Sequence, residues 1–135
     1  MEPTGLDYTQ TIHDTLGIRT VEATKDRVVL EMDIGPRVHQ PMGLLHGGAS
    51  AVLAESAGSI GAYLNCDSGR EFAVGIDLNI SHLRARRSGV LRATAAPVRR
   101  GRLIQVWAID LADENGEMVA VARLTLTVRG WEDDR

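Results

Sequence analysis

Glu55 is the one Asp, Glu, Lys or Arg between Arg37 and Asp67, and it follows the triplet His46-Gly47-Gly48 by about two helical turns. The first amides of a helix have no partners inside it and present the positive end of its dipole. No bulky side chain follows His46, so a ligand oxygen can approach those amides, which is the layout of an oxyanion hole. Seven residues from a helix start near Gly48, Glu55 lies about 10 Å further along the axis. That is too far to touch the amides. It suits a carboxylate placed on the other side of a substrate carbonyl, or one contributed across a subunit interface, where it can attack an activated acyl group or activate water. The ordinary alternative is a solvated glutamate after a simple turn, the usual setting of Glu. Residue physics alone leaves both open, and the lack of any neighbouring charge favours chemistry. His46 has no second His, Cys or carboxylate at ligand spacing, so a metal site is not expected.

The element carrying Glu55 has helical period. Leu53, Ala57, Ile60 and Leu64 form one stripe at offsets of four, three and four over residues 49–64. Glu55 stands about 200° around the axis from Leu53, and Ser59 shares its side. Gly58 and Gly61 each weaken a helix, which makes sense if other backbone or a ligand must come close, so the helix is expected to be wrapped by other structure.

Around it the chain reads as strands. "VVLEMDI" alternates with Val28, Leu30, Met32 and Ile34 on one face, and the Pro- and Gly-rich segment 35–43 is a loop. From Glu71 onward four long strands are expected. "FAVGIDLNISH" aligns Phe72, Val74, Ile76, Leu78 and Ile80, "GVLRATAAPV" follows, and "LIQVWAIDL" aligns Leu103, Gln105, Trp107, Ile109 and Leu111. Asn115-Gly116 then turns the chain into "EMVAVARLTLTV". Residues 6–16 suggest a short helix ending at Gly17, and "WEDDR" a frayed tail. One helix and one long sheet share a core only if the sheet curls around the helix. This is an α+β hotdog fold, a single domain over 1–135 with an extension at 1–13 and a tail at 130–135. One side of helix and sheet would stay uncovered, so a homo-oligomer is expected.

Composition agrees with one ordinary globular domain: 135 residues, 44% hydrophobic, net charge −3. Fourteen of the fifteen basic residues are Arg, and Arg84, Arg86, Arg87, Arg92, Arg99, Arg100 and Arg102 fall in a window without Asp or Glu. Arginine forks suit phosphates, and the clusters at 84–87 and 99–102 could line one cleft mouth. For any single Arg, a solvated loop is the plainer explanation. With 4% aromatic residues there are few stacking platforms, so nucleic acid is not the expected partner. A lone Cys66 gives no intramolecular disulfide, and neither a membrane span nor a secretory leader is evident. A soluble cytoplasmic protein is the expectation.

Gln40, the block "GLLHGGASAVLAES" at 43–56, "NISHLRAR" and "RRGRLIQVW" closely resemble the hotdog acyl-CoA thioesterases. The likeness runs over roughly residues 14–128. It is nearest the branch of glutamate-type 4-hydroxybenzoyl-CoA and 1,4-dihydroxy-2-naphthoyl-CoA thioesterases; the related phenylacetate-pathway enzymes usually carry Asp where this chain has Glu55. The resemblance implies that Glu55 is nucleophile or general base, and that the Gly47 amide polarises the thioester carbonyl with help from Gln40. It further implies that His46 orients the thioester and that Ser59 positions water or the acyl group. His82 and Arg84, with Arg99, Arg100, Gly101 and Arg102, match places that hold coenzyme A. Coenzyme A would enter as part of the substrate, with no separate cofactor. The active unit would be a homodimer with its site between protomers, pairing into a dimer of dimers. Two other functions on this fold remain: an acyl-CoA sensor without catalysis, and a hydratase, which needs a catalytic His paired with an acid and fits this motif poorly.

Overall fold

The computed structural model describes residues 4–134. A short helix α1 (Ile12–Leu16) leads into strands β1 (Arg19–Ala23) and β2 (Val28–Ile34). The long helix α2 (Gly47–Leu64) follows, and then strands β3 (Glu71–His82), β4 (Gly89–Arg100), β5 (Ile104–Ala112) and β6 (Met118–Gly130). All six strands form one antiparallel sheet in the order β1-β2-β4-β5-β6-β3, curled around α2. The hotdog expectation holds.

The core lies between α2 and the concave face of the sheet. Val28, Leu30, Met32 and Ile34 are buried as their alternation predicts, and so are Gln105, Trp107, Ile109 and Leu111 of β5. Leu53, Ala57 and Ile60 meet them from α2. The helical glycines are explained by contact: a Cβ on Gly61 would lie 2.4 Å from the Trp107 ring, and one on Gly58 2.8 Å from Leu124 Cδ2. Side chains there would push the helix off the sheet. The indole Nε1 donates to Gln105 Oε1 (2.9 Å), and Gln105 Nε2 donates to the Ala62 carbonyl (3.3 Å), so the buried polar atoms of this layer are satisfied.

Three expectations are corrected. First, Leu103, expected on one face with Gln105, Trp107, Ile109 and Leu111, precedes β5 and is 62% exposed. Second, the alternation of β3, which lies beyond β6 at a sheet edge, breaks at a bulge: Gly75 opposes Leu126 and Asp77 opposes Thr125, leaving Ile76 as the extra residue. Ala73, Leu78 and Ile80 pack against the core, whereas Val74 and Ile76 are 40% and 58% exposed. The single face expected for Phe72, Val74, Ile76, Leu78 and Ile80 therefore does not exist. Third, the ends are docked. Trp131 opens a 3-10 turn (Trp131–Asp134), stacks on Phe72 at 4.2 Å, and donates its N–H to the Arg70 carbonyl, so the tail is not frayed through that turn. At the other end Thr4 and His13 are buried, and of the helix expected over 6–16 only Ile12–Leu16 forms, ending as expected at Gly17, which is in the left-handed region at φ 70°.

Candidate functional site

The residues expected to act together occupy two separate clefts along α2. The first, of about 400 Å³, is bordered by Gln40, Gly47, Ser50, His82, Arg84 and Val119. The second, of about 340 Å³, is lined by Ile12, Ala51, Val52, Glu55, Ser56 and Leu78. Glu55 is eight residues beyond Gly47, so the clefts lie about 12 Å apart along the axis.

His46 makes the first cleft possible by acting as the N-cap of α2. Its Nδ1 accepts the Gly48 N–H at 2.8 Å, and its carbonyl accepts the N–H groups of Ala49 (3.0 Å) and Ser50 (3.3 Å). With Nδ1 accepting, a neutral ring carries its proton on Nε2, which is left as an outward donor. Among the described residues, the Gly47 N–H is then the one first-turn donor without an acceptor. The open amides expected from the triplet thus narrow to one.

Both glycines sit at close approaches of histidine rings rather than at unusual backbone angles. A Cβ on Gly47 would lie 2.9 Å from His82 Nε2, and one on Gly48 2.9 Å from the capping His46 Nδ1. His82, at the end of β3, therefore rests on the helix start itself. Gln40 turns its Oε1 toward the Met42 and Leu44 amides of its own loop, which identifies its Nε2 as the remaining donor at this cleft.

The second cleft differs in kind. Apart from Glu55 and Ser56 its walls are apolar: Ile12, Ala51, Val52 and Leu78. Glu55 is exposed in the single chain. It lies over the strand bulge, where a Cβ on Gly75 would come 3.1 Å from its Oε2. Ser59 is half-buried and does not line this cleft; Ser56 does, accepting or donating a 2.9 Å hydrogen bond with His13 Nε2. Sequence reasoning missed His13, Ile12, Ser56 and Gly75. Only Gly75 left a legible mark, since a lone glycine inside an alternating strand signals a bulge or a close approach.

The arginine clusters separate. They sit at opposite ends of β4, eleven residue steps or about 36 Å apart, so they do not line one mouth within a protomer. Arg84 pairs with Glu117, Arg86 with Asp113 (3.0 Å) and Glu114 (2.8 Å), and Arg92 with Glu31 (2.9 Å). At the far end Arg100 pairs with Asp26 (2.6 Å), whereas Arg99 and Arg102, beside Gly101, make no ion pair among the described residues. The Glu114 carboxyl is held below its usual range, chiefly because it accepts the Val90 backbone N–H. No cluster of three metal-ligating side chains occurs among the described residues, and no described helix is long and apolar enough to cross a membrane.

Comparison with known proteins meets this geometry. The thioesterase superfamily model matches residues 42–120, which include Gly47 and Glu55 but neither Gln40 nor Ile12. A 1,4-dihydroxy-2-naphthoyl-CoA hydrolase of Escherichia coli is 42% identical over 113 residues, 84% of this chain and 82% of the relative. A proofreading thioesterase of Cronobacter turicensis is 40% identical over 120 residues, 89% of this chain and 87% of the relative. The crystal structure of a thioesterase from Haemophilus influenzae superposes with a TM-score of 0.87 at 40% identity, covering 91% of this chain and 85% of that one. With a one-donor helix start, a lone carboxylate on the same helix and these relatives, the chain belongs to the thioesterase superfamily as a hotdog-fold enzyme.

Proposed function

We propose that this enzyme hydrolyses an acyl-CoA thioester carrying an aromatic or otherwise bulky acyl group, in a site completed by two copies of the chain. The observation that carries the reading is the split along α2: one amide donor at Gly47 and one carboxylate at Glu55, about 12 Å apart on the same helix. A thioester carbonyl cannot reach both in one protomer. A second copy set antiparallel brings the Glu55 of each beside the Gly47 of the other. The free edge of β3, with Val74 and Ile76 exposed next to the Glu55 cleft, is a surface such a copy would cover. Two such dimers pairing would give the tetramer.

In this mechanism the carbonyl oxygen accepts the Gly47 N–H, with the Gln40 amide and the outward Nε2–H of His46 as further donors, so charge developing on oxygen is met by fixed dipoles. Glu55 then acts in one of two ways. Attack by its carboxylate on the carbonyl carbon breaks the C–S bond, releases CoA as thiolate, and leaves a mixed anhydride that water opens. Alternatively Glu55 takes a proton from water as the hydroxide attacks, and returns it to the departing sulfur. Both give the free acid and CoA. Ser59, four residues from Glu55, would support the acyl group or water only once the partner is present. His82 and Arg84 would meet coenzyme A at the Gly47 cleft, and the Arg99–Arg102 turn only where a partner brings it near. Substrate and product need no further cofactor.

Single-turnover hydrolysis in ¹⁸O water separates the routes: label in the Glu55 carboxylate supports attack, and its absence supports general-base action. Near-normal turnover by Glu55→Ala on the best substrate would sink both. Acyl-CoA binding without any turnover would favour the sensor.

A further inference from the structure

The geometry points to the N-terminal segment as the wall that sets which acyl group the Glu55 cleft accepts, with Ile12 as the specificity residue and the His13–Ser56 hydrogen bond as the latch that positions it. This rests on the thioester-hydrolase reading and deepens it by assigning the acyl end of the site.

α1 has five residues, too few to hold a helix alone, so its place is set by tertiary contacts. Those contacts are specific. His13 is buried, its Nε2 lies 2.9 Å from Ser56 Oγ, and its ring stacks face to face on Tyr8 at 4.4 Å and 5°. Tyr8 in turn packs on the core and donates its hydroxyl proton to Thr4 Oγ1 at 3.0 Å. At the other end of α1 the Arg37 guanidinium donates to the Thr15 carbonyl at 3.3 Å, and Ile18 N–H to the His13 carbonyl at 2.8 Å.

The latch falls on the residue next to the lone carboxylate. Ser56 follows Glu55 directly, so the His13–Ser56 bond ties α1 to α2 at the position next to that carboxylate. Ile12, adjacent to His13, is thereby set into the cleft, 51% exposed, opposite Val52 of α2 and Leu78 of β3. Three apolar side chains around a carboxylate offer nothing to a charged nucleotide. They suit the hydrocarbon of an acyl group whose carbonyl is presented to Glu55. An apolar wall discriminates by size, and one methylene more or less there is worth about 10- to 200-fold in kcat/KM.

Three CoA thioesters read the proposal: acetyl-, benzoyl- and 2-naphthoyl-CoA, each assayed for kcat and KM by thiol release. Ile12→Trp should lower the benzoyl-to-acetyl ratio of kcat/KM at least tenfold, mainly through KM. Ile12→Ala should raise the naphthoyl-to-benzoyl ratio at least threefold. Ser56→Ala should shift that second ratio in the same direction, and Ser56→Thr, which keeps the hydroxyl, should restore it. Both ratios staying within twofold of wild type in the Ile12 variants overturns the wall. A lower melting temperature of Ser56→Ala with unchanged ratios overturns the latch. A change of dimer affinity in Ile12→Trp without a change of ratio assigns Ile12 to the interface and also overturns the wall. Wild-type turnover tests the parent reading separately; were it nil, binding of the matching non-hydrolysable thioethers supplies the same ratios, and unchanged ratios again overturn the proposal.

Discussion

The two clefts of α2 solve opposite problems. At Gly47 the acceptors are engaged and donors are left over: His46 Nδ1 caps Gly48, Gln40 Oε1 bonds its own loop, Arg84 pairs with Glu117, and the Gly47 backbone N–H remains with the Gln40 amide and the His46 Nε2–H. At Glu55 the surroundings are apolar and the carboxylate stands exposed on the helix. Under the proposed mechanism the first would be a preorganised receptor for charge that appears during reaction, since its dipoles need no rearrangement. The second would be the reactive group, its surroundings completed by substrate or a second chain. On that reading preorganisation belongs to the protomer and reactivity to the assembly.

The sharpest way to break this contrast is to remove the reactive half. Glu55→Ala should reduce kcat by about 10²- to 10⁴-fold on the best acyl-CoA while leaving the melting temperature near wild type, because the side chain is exposed. A large loss of stability instead would mean that Glu55 is structural. The receptor half should respond more mildly. Gln40→Ala removes a supporting donor and should lower kcat by about 10²-fold at most, with KM little changed; a pure KM effect would place Gln40 in ground-state binding.

Two glycines extend the comparison from chemistry to packing. Gly75→Ala places a Cβ 3.1 Å from Glu55 Oε2, so it should cut kcat about tenfold by displacing the carboxylate, with a small shift in melting temperature. Gly61→Ala drives a Cβ to 2.4 Å from Trp107 and should do the reverse, costing about 1–3 kcal/mol of stability by denaturant titration while the surviving folded enzyme keeps its kcat. If both variants behaved alike, the separation of site from core would be wrong.

The smallest effect concerns Cys66. Burial, with the nearby Glu71 charge second, pushes its thiol up to about 11, and Sγ donates to the Ala62 carbonyl at 3.3 Å. A raised thiol value keeps the neutral form through the physiological range, and only the thiolate reacts. Iodoacetamide labelling should therefore be slow at pH 8 and climb with pH toward about 11, without loss of activity. Rapid labelling at pH 8 would show that the C-terminal end of α2 opens.

The legibility of the two regions differed for the same reason. The α2 stripe, the β2 and β5 alternations and the Asn115-Gly116 turn are local periodicities, and they place their residues correctly except Leu103, which precedes β5 and is exposed. The β3 face failed because a bulge shifts the phase of alternation, and nothing but Gly75 marks where. The capping histidine was hidden because the usual N-cap residues are Ser, Thr, Asp and Asn, and a ring nitrogen in that role has no pattern of its own. The shared arginine mouth failed because nearness in sequence was taken across a strand that carries its two ends far apart.

By itself the sequence determined the fold class, the helix that carries the site, and the two residues on it around which the chemistry is argued, Gly47 and Glu55. Periodicity and the scarcity of charge are properties of the chain read in order. Tertiary structure alone decided that Ser56 rather than Ser59 lines the cleft, and that the N-terminal helix, held to Ser56 through His13, brings Ile12 to the cleft beside Glu55. The His13–Ser56 contact joins residues 43 apart in the chain, and no local pattern encodes it.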